Sequence, residues 1–481
     1  MILTALIAAV GMMCVHMAFV ADADVWWQMR TGQWILNHHG FPQTDPFSIH
    51  GADVPWQAYS WLFDLVVLKL FEQWGLAGLV VYNTVLVVAI TAALYHLLHR
   101  LQPDSTKVVL LAFVSMGCMT RLFTPRPWLF TILFFILELD ILLQARKTGK
   151  LRELLWLPLI FALWANIHIQ FIDGFVVLGI AAAEPIVERW WPYQQTRLKA
   201  GTIWAILGAC IVGTCVNPYG WRLYQVAYQL ASQKGVLGRV AEMGALPFRG
   251  FEDFLYLFLV LAGAGALAWT RRFPVFETCL LGAGAIISFR SERDIWFVII
   301  VASMLLASAL PSHREQPAAL PVIAIPIILV VVLGILRLGA VIFQVNHATL
   351  QKQLVDTLPV RAVQTIEDRG YKGPIFNDYS WGGYLIWNLR EMPPSIDGRA
   401  ALQGDKALAR SGNTWSGQAG WSSDPDLKAA NVVLAPIHLP LTQLLRLDPQ
   451  FHLVYEDKLA AVFVRRTPGC RFRALEPTPR P

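Results

Sequence analysis

The chain has 481 residues, of which 56% are hydrophobic and only 15% are charged. Because soluble domains carry about 25% charged residues, this composition excludes a soluble enzyme as a description of the whole chain. The net charge of +6 is spread over many short loops, so we expect no nucleic-acid partner. The six cysteines lie mostly inside apolar runs, and no disulfide framework is predicted.

Apolar runs recur along the first 345 residues and predict a polytopic α-helical membrane protein with about 11 transmembrane helices, since about 20 apolar residues cross a bilayer. The predicted spans are 1–20, 77–98, 107–122, 127–144, 154–170, 172–188, 201–216, 253–270, 274–289, 295–310 and 320–344. The first run lacks a basic start and a small-residue cleavage site, so we interpret it as a span and not as a signal peptide.

A polar segment, residues 21–76, follows the first run and forms the first outer loop. It opens with Asp22 and Asp24 and continues with Trp26 and Trp27. Tryptophan favours the headgroup layer of a bilayer. A carboxylate at the bilayer edge indicates a functional role, although these two acids would also serve simply to end a helix in water. Later in the loop, residues 61–74 predict an interfacial amphipathic helix.

The loops differ in composition on the two sides of the predicted membrane. One alternate set is compact and basic, as in Arg146, Lys147, Lys150 and Arg152, and the positive-inside rule makes these loops cytoplasmic. The other set carries carboxylates, histidine, asparagine and arginine beside the membrane. A structural protein has no reason for this bias, so the sorting indicates an active site that opens to the outer face.

From about residue 346 the composition becomes that of a soluble protein. Strands are predicted at 373–376, 384–387, 432–435, 453–455 and 460–464, with helices at 348–369 and 439–447. These elements predict a small α/β domain, residues 346–466, on the periplasmic side of a transmembrane domain that comprises residues 1–345. The Pro- and Arg-rich residues 467–481 predict a disordered tail.

Short polar motifs occupy the outer loops and the C-terminal domain. In chain order they are Asp24-Val-Trp-Trp-Gln-Met-Arg30, Pro42-x-x-Asp-Pro46, Arg126-Pro127, Trp164-x-Asn166-x-His168, Asn217-Pro-Tyr-Gly220, Arg290-x-x-Arg293, Ser380-Trp381-Gly-Gly-Tyr-Leu385 and Asp397-Gly398-Arg399. Each motif alone is weak evidence of function. Their order and their shared outer side are more specific.

Together these motifs resemble the GT-C glycosyltransferases, integral membrane enzymes that take a sugar from a polyprenyl-phosphate carrier on the non-cytoplasmic side. The first loop is similar to that of oligosaccharyltransferase catalytic subunits, and the whole set is similar to uncharacterised bacterial members. The resemblance implies a multi-pass protein of the bacterial inner membrane. Its implied partners are a polyprenyl-phosphate-linked sugar, a glycan, lipid or protein acceptor, and membrane lipids.

The resemblance also implies a role for each group. Asp24, or Asp22 as the second candidate, is the carboxylate that takes the proton of the acceptor hydroxyl. We favour Asp24 because it precedes Arg30 by six residues and because Trp26 and Trp27 would limit water around it. Arginine pairs bidentately with phosphate oxygens, and the expected ligands of the lipid phosphate are Arg30, Arg121, Arg126, Arg290 and Arg293. Expected substrate contacts are Trp26, Trp27, Asn166, His168 and Trp381.

Alternatives to these roles remain open. Each arginine would also snorkel to lipid headgroups, and His168 would also serve as a structural hydrogen bonder. We expect no metal and no cofactor, because residues 120–126 lack the acidic pair of metal-dependent GT-C members. The alternative function is a non-catalytic GT-C-like scaffold or lipid-handling subunit of an envelope polysaccharide system. A transporter is less favoured, since no inverted repeat is visible.

Overall fold

A computed structural model describes residues 22–190, 196–233, 243–270, 273–311 and 347–466. The predicted segments 1–20, 320–344 and 467–481 lie outside these residues. The described chain is mostly helical and contains one small mixed sheet of four strands. It divides into two compact units, Met1–Thr44 with Pro55–Leu354 and Asp45–Val54 with Val355–Pro481.

Most helices of the first unit follow the predicted apolar windows or the predicted segment 61–74, whereas the helices Asp24–His38 and Arg222–Ser232 were not predicted. Within the described residues the helices of this unit are α1 Asp24–His38, α2 Trp61–Trp74, α3 Leu76–Leu101, α4 Ser105–Cys118, α5 Trp128–Thr148, α6 Leu157–Ile167, α7 Phe171–Val187, α8 Ala200–Thr214, α9 Arg222–Ser232, α10 Phe251–Trp269, α11 Val275–Arg290 and α12 Ile295–Ala309. A helical turn, Leu151–Leu154, precedes α6.

Three helices in the described ranges are long and apolar enough to cross a membrane, namely α3, α5 and α10, while α4 and α8 are apolar but shorter. The other predicted windows are also helical, but several of these helices end early. The 11 residues of α6 extend about 16 Å, against a hydrocarbon core of about 30 Å. The topology of about 11 spans therefore stays a prediction.

Helix α2 packs closely against α1. A β-carbon at Gly32 of α1 would lie 2.6 Å from the carbonyl oxygen of Asp64 in α2, so glycine is needed for this approach. Trp26 of α1 meets Phe71 of α2 with ring centroids 5.7 Å apart. Gly75, at φ +59°, then turns the chain into α3. The predicted amphipathic segment is thus a helix that packs on the start of the first loop.

The polar residues of the first unit gather at two opposite ends of its helices. One end, which we call the motif end, joins the start of α5 to the end of α6 and the α11–α12 connection, through the bonds Thr131–His168 and Gln170–Asp294. The other, the Arg146 end, joins the last turn of α5 to Glu184 and Glu277. The motifs of the first unit that contain Asp24, Arg126, His168 and Arg293 lie at the motif end.

The second unit is built on a sheet with the strand order β1-β2-β4-β3. Its strands are β1 Ile375–Asn377, β2 Val432–Pro436, β3 Phe451–Glu456 and β4 Ala460–Arg465. The β1–β2 pair is parallel, and the others are antiparallel. Phe376, Trp415, Leu441 and Phe463 belong to its buried core.

The predicted helices and strands of this region need corrections. The predicted strand 384–387 is the helix Gly382–Asn388, because a short apolar run does not distinguish a strand from a buried helix. The predicted helix 348–369 is two helices, His347–Thr357 and Val360–Asp368, broken at Pro359. The helix Ala400–Trp415 was not predicted.

The segment Asp45–Val54 belongs to the second unit, whereas the sequence assigned the whole first outer loop to the transmembrane domain. Arg399 explains this difference. Its guanidinium bonds to Asp45 Oδ1 at 2.5 Å and to both oxygens of Asp397, and it stacks over Phe47 at 5.3 Å. All three charged side chains are buried, so each requires the others. The motif at 397–399 is thus an Arg–carboxylate pair with a third partner, Asp45, from the first loop.

Candidate functional site

Two carboxylates share one arginine at the motif end. Arg126 Nε bonds to Asp22 Oδ2 at 2.5 Å, and its Nη1 bonds to Asp24 Oδ2. We call these three residues the acid–arginine cluster. Asp22 is buried, whereas the side chain of Asp24 is 18% exposed to solvent. The structure thus brings together three of the residues that the sequence predicted for the site.

The backbone around Arg126 is held by side chains from neighbouring helices. Tyr82 donates to the carbonyl of Arg126 at 2.8 Å, Asn83 donates to that of Phe123 at 2.8 Å, and Trp128 donates to that of Leu122 at 2.7 Å. The indole of Trp128 also lies 5.2 Å from the guanidinium of Arg126. These bonds satisfy backbone carbonyls of the segment that precedes α5. They therefore fix the position of the Arg126 backbone.

The two acids are not equivalent. Asp22 Oδ1 accepts the backbone N–H of Asp24 at the start of α1, at 2.9 Å, and its Oδ2 accepts Arg126. Burial raises the pKa of Asp22, and the charge of Arg126 opposes that rise. Asp24 uses only Oδ2, and its Oδ1 has no hydrogen-bond partner within the described part of the chain. Asp24 is therefore the acid with an oxygen available to a ligand.

Arg293 lies near the cluster and is less fully paired. Its Nε is buried without a hydrogen-bond partner among the described residues, and Asp294 Oδ1 is 3.9 Å from it. Asp294 is held instead by Gln170, which donates to the same oxygen at 2.5 Å. The charges of Arg293 and Arg126 both act on the buried ring of His168. Arg293 thus has a buried donor left to bind an anion.

His168 is a neutral, structural group in this arrangement. Its Nδ1 lies 2.9 Å from Thr131 Oγ1, which also accepts the indole N–H of Trp164 at 2.9 Å. Thr131 therefore has its hydroxyl proton to give, which fits the tautomer with the proton on Nε2. Burial, with the charges of Arg293 and Arg126, holds the pKa of His168 well below its ordinary value. This geometry corresponds to the structural alternative left open by the sequence.

The other predicted arginines have different partners. Arg121 bonds to Glu292, lies 3.7 Å from Asp253 and stacks on Tyr256. Arg290 donates to the carbonyl of Ala231 at 3.4 Å. Arg30 bonds to Gln33 in its own helix at 2.5 Å. The structure does not bring these three arginines into the acid–arginine cluster.

The predicted aromatic contacts are packed inside the protein. Trp26 and Trp27 are 4% and 8% exposed. They therefore pack inside the protein at the start of α1 and offer no ring face to a substrate. Trp381 belongs to the second unit and is also buried; a β-carbon on the adjacent Gly382 would lie 2.5 Å from the Cα of Asp397. Gly382 thus allows the start of the helix Gly382–Asn388 to pack closely on residues 396–397.

Two polar motifs anchor the returning part of the first loop. Asn166 Oδ1 accepts the indole N–H of Trp61 at 2.8 Å. The hydroxyl of Tyr219 accepts the N–H of Ala58 at 3.0 Å and donates to the carbonyl of Pro42 at 3.1 Å. Both motifs therefore position backbone and not substrate. In the chain, Tyr59 lies between Ala58 and Trp61, the two residues that these motifs hold. No sequence motif includes Tyr59.

No protein-family model matches this chain, and no curated protein matches it. The interpretation of the site therefore rests on its own geometry. Among the described residues, no group of three or more His, Cys, Asp or Glu is placed to hold a metal ion. The chemistry at hand is that of a carboxylate with an available oxygen beside one guanidinium, with a second arginine, Arg293, at the same end of the unit. Such a set can accept a proton and neutralise a departing anion.

Proposed function

We propose that the chain is a membrane-embedded, inverting glycosyltransferase of the GT-C type. It would move a sugar from a polyprenyl-phosphate carrier to an acceptor hydroxyl at the outer face of the bacterial inner membrane. The observation that carries this proposal is the difference between Asp22 and Asp24. Both oxygens of Asp22 are occupied, whereas Asp24 keeps Oδ1 without a partner among the described residues, next to the guanidinium of Arg126.

In the proposed reaction Asp24 takes the proton of the acceptor hydroxyl as its oxygen bonds to the anomeric carbon. The bond between that carbon and the phosphate oxygen breaks, and the electron pair leaves with the polyprenyl phosphate. The departing group gains negative charge, which Arg293 would neutralise with bidentate hydrogen bonds. Arg126 fixes the direction of the Asp24 carboxylate, and attack from the opposite face inverts the anomeric centre.

Exposed aromatic residues support the membrane part of the proposal. Tryptophan gathers at both interfaces of a bilayer. Large exposed aromatics lie at the Arg146 end, at Trp156, Trp190, Trp204 and Trp269, and at the motif end, at Trp74, Trp221 and Phe251. Exposed aliphatic residues such as Val85 and Leu261 lie between these two sets. Such a pattern is typical of a lipid-facing surface with an aromatic belt on each side.

One observation favours the alternative of a non-catalytic scaffold. Arg126 is engaged by two carboxylates, and Asp294 lies beside Arg293. Carboxylates therefore outnumber guanidinium groups here, as they would if the ion pairs only fastened helix ends together. The same cluster serves both hypotheses, so only turnover separates them.

The test is Asp24→Asn, which keeps the shape of the side chain and removes the base. We expect sugar transfer to fall roughly 100-fold or more, as loss of a general base does. The assay uses proteoliposomes and polyprenyl-phosphate donors that carry radiolabelled mannose or glucose. Asp22→Asn is the matched control, and it should retain more activity because Asp22 has no oxygen available to the acceptor.

Each outcome has a distinct meaning. Full activity in Asp24→Asn removes this acid from the mechanism. A wild-type protein that transfers no sugar from any donor, although it is folded, favours the scaffold.

A further inference from the structure

We propose that the hydroxyl of Tyr59 binds the phosphate of the polyprenyl carrier, together with Arg293. This inference rests on the proposed function and adds a ligand of the phosphate that no motif marks. It names the lipid phosphate, and not the acceptor or the sugar, as the group that Tyr59 recognises.

The backbone of Tyr59 is fixed from both sides. One residue before it, the N–H of Ala58 is held by the hydroxyl of Tyr219 at 3.0 Å. Two residues after it, the indole of Trp61 is held by Asn166 at 2.8 Å. Asn166 is itself anchored to the carbonyls of Ala162 and Val216. The segment that carries Tyr59 is thus tied to the end of α6, beside His168.

The segment of Tyr59 is tied to Asn166, and four residues further along the chain Gln170 binds Asp294, the neighbour of Arg293. Tyr59 and Arg293 therefore belong to the same end of the first unit, where the charges of Arg293, Asp64, Asp24 and Arg126 affect the Tyr59 hydroxyl. The ring is only partly buried. Its hydroxyl forms no hydrogen bond within the described residues. A phenol in this position has a donor to offer to a ligand.

The protonation states of the neighbours determine what Tyr59 can bind. Burial raises the pKa of Tyr59, and the nearby carboxylates add to this while both arginines oppose it. The group therefore stays a phenol at neutral pH and donates its proton in a hydrogen bond. Burial also raises the pKa of Asp64 well above its ordinary value, which disfavours a negative charge on that carboxyl.

An anionic oxygen is the partner that completes this arrangement. An ionised phosphate only accepts hydrogen bonds, and hydrogen bonds to charged groups are stronger than neutral ones. Arg126 is engaged by two carboxylates, which leaves Arg293 as the main cation for the phosphate. Tyr59 would supply a second donor without adding a second charge.

The experiment compares Tyr59→Phe with the wild-type protein in lipid nanodiscs. The probe is radiolabelled polyprenyl phosphate without a sugar, and the control ligand is the corresponding polyprenol, which lacks the phosphate. We expect Tyr59→Phe to bind the phosphate roughly 10-fold more weakly and to bind the polyprenol as the wild type does. In turnover with a donor sugar, KM should rise while kcat stays near the wild-type value.

The matched control is Tyr95→Phe. Tyr95 lies in α3 toward the Arg146 end, where it stacks on His99, and it should bind the phosphate as the wild type does. Unchanged binding in Tyr59→Phe overturns the inference while the proposed function stands. An equal loss for phosphate and polyprenol also overturns it, because the ring would then contact the lipid chain. A wild-type protein without affinity for polyprenyl phosphate overturns the proposed function itself.

Discussion

The helix Trp128–Thr148 has an arginine at each end, and each arginine contacts two carboxylates. In its last turn, Arg146 makes four hydrogen bonds of 2.5–3.1 Å, which satisfy every carboxylate oxygen of Glu184 and Glu277. Just before its first turn, Arg126 bonds to Asp22 and Asp24, and Asp24 keeps one oxygen without a described partner. The same three-residue arrangement is saturated at one end and open at the other.

This difference in pairing distinguishes a structural ion cluster from a reactive one. Buried charges are tolerated when each is paired and its hydrogen bonds are complete. The Arg146 group meets that condition, and the ring of Phe276 covers its guanidinium at 4.3 Å. The Asp24 carboxylate does not meet it, and the Nε of Arg293 has no partner in the described ranges. Incomplete pairing of this kind points to a ligand.

The largest effect should follow from Arg146→Met. This change leaves Glu184 and Glu277 without their shared partner, and breaking a buried pair in this way costs about 3–5 kcal/mol. We expect a large loss of folded protein, measured as thermal unfolding in detergent, with normal sugar transfer per folded molecule. Arg126→Met is the paired variant, and it should lose transfer while it retains more stability. If Arg126→Met were the less stable variant and Arg146→Met the one that lost sugar transfer, the distinction between the two ends would be wrong.

A smaller effect is expected at the second arginine of the motif end. Arg293→Gln should weaken the binding of polyprenyl phosphate by about 10-fold, because a charge-assisted hydrogen bond is lost. Arg121→Gln is the control from the same end, since Arg121 is bonded to Glu292. It should leave binding unchanged. Equal losses in both variants would mean that the phosphate responds only to the total charge of this end.

The smallest effect on stability is expected at Asp45. Its partner Arg399 resembles Arg146, because it is buried and bonds to two carboxylates. Burial alone would raise the pKa of Asp45, but the charge and hydrogen bonds of Arg399 hold that pKa below its ordinary value. The ionised carboxylate therefore stabilises the fold above about pH 4, and this stabilisation is lost as the pH falls through the lower folded pKa. Asp45→Asn should be less stable than the wild type at neutral pH, with a smaller difference in acid. Urea unfolding at several pH values tests this, and the exposed Asp356→Asn serves as the control.

The sequence predicted the helices well because their signal is local. Apolar windows located most of the helices within the described residues, since length and hydropathy decide them, but they missed the more polar α1 and α9. Which of these helices cross a membrane stays a prediction. A window does not show where a helix ends, and α6 ends at Ile167 because the chain turns there to place His168. The predicted strand at 384–387 failed for a related reason, since a buried apolar run fits either a strand or a helix.

The candidate site was predicted in part. Asp22, Asp24, Arg126 and Arg293 carry charge at a predicted membrane edge, which sequence reasoning can detect. Their pairing depends on which loops meet in space, so nothing in the sequence separated Arg126 from Arg121. Tyr59 was missed because its importance comes from neighbours distant in the chain, as do the anchors Asn166 and Tyr219. The weak motif signals at these two anchors proved to mark turns that position the backbone.

The insertion of Asp45–Val54 into the second unit has a consequence for biosynthesis. About 300 residues separate this segment from Val355, and at roughly 5–20 residues per second the ribosome needs tens of seconds to make them. During this time Asp45 and Phe47 must wait, without the partners that bury them, until Arg399 emerges. A fragment that begins at Val355 would contain the buried guanidinium of Arg399 without Asp45, one of its two acids. The C-terminal unit is thus the last part of the chain to be completed, and supplying residues 45–54 as a separate peptide should restore such a fragment.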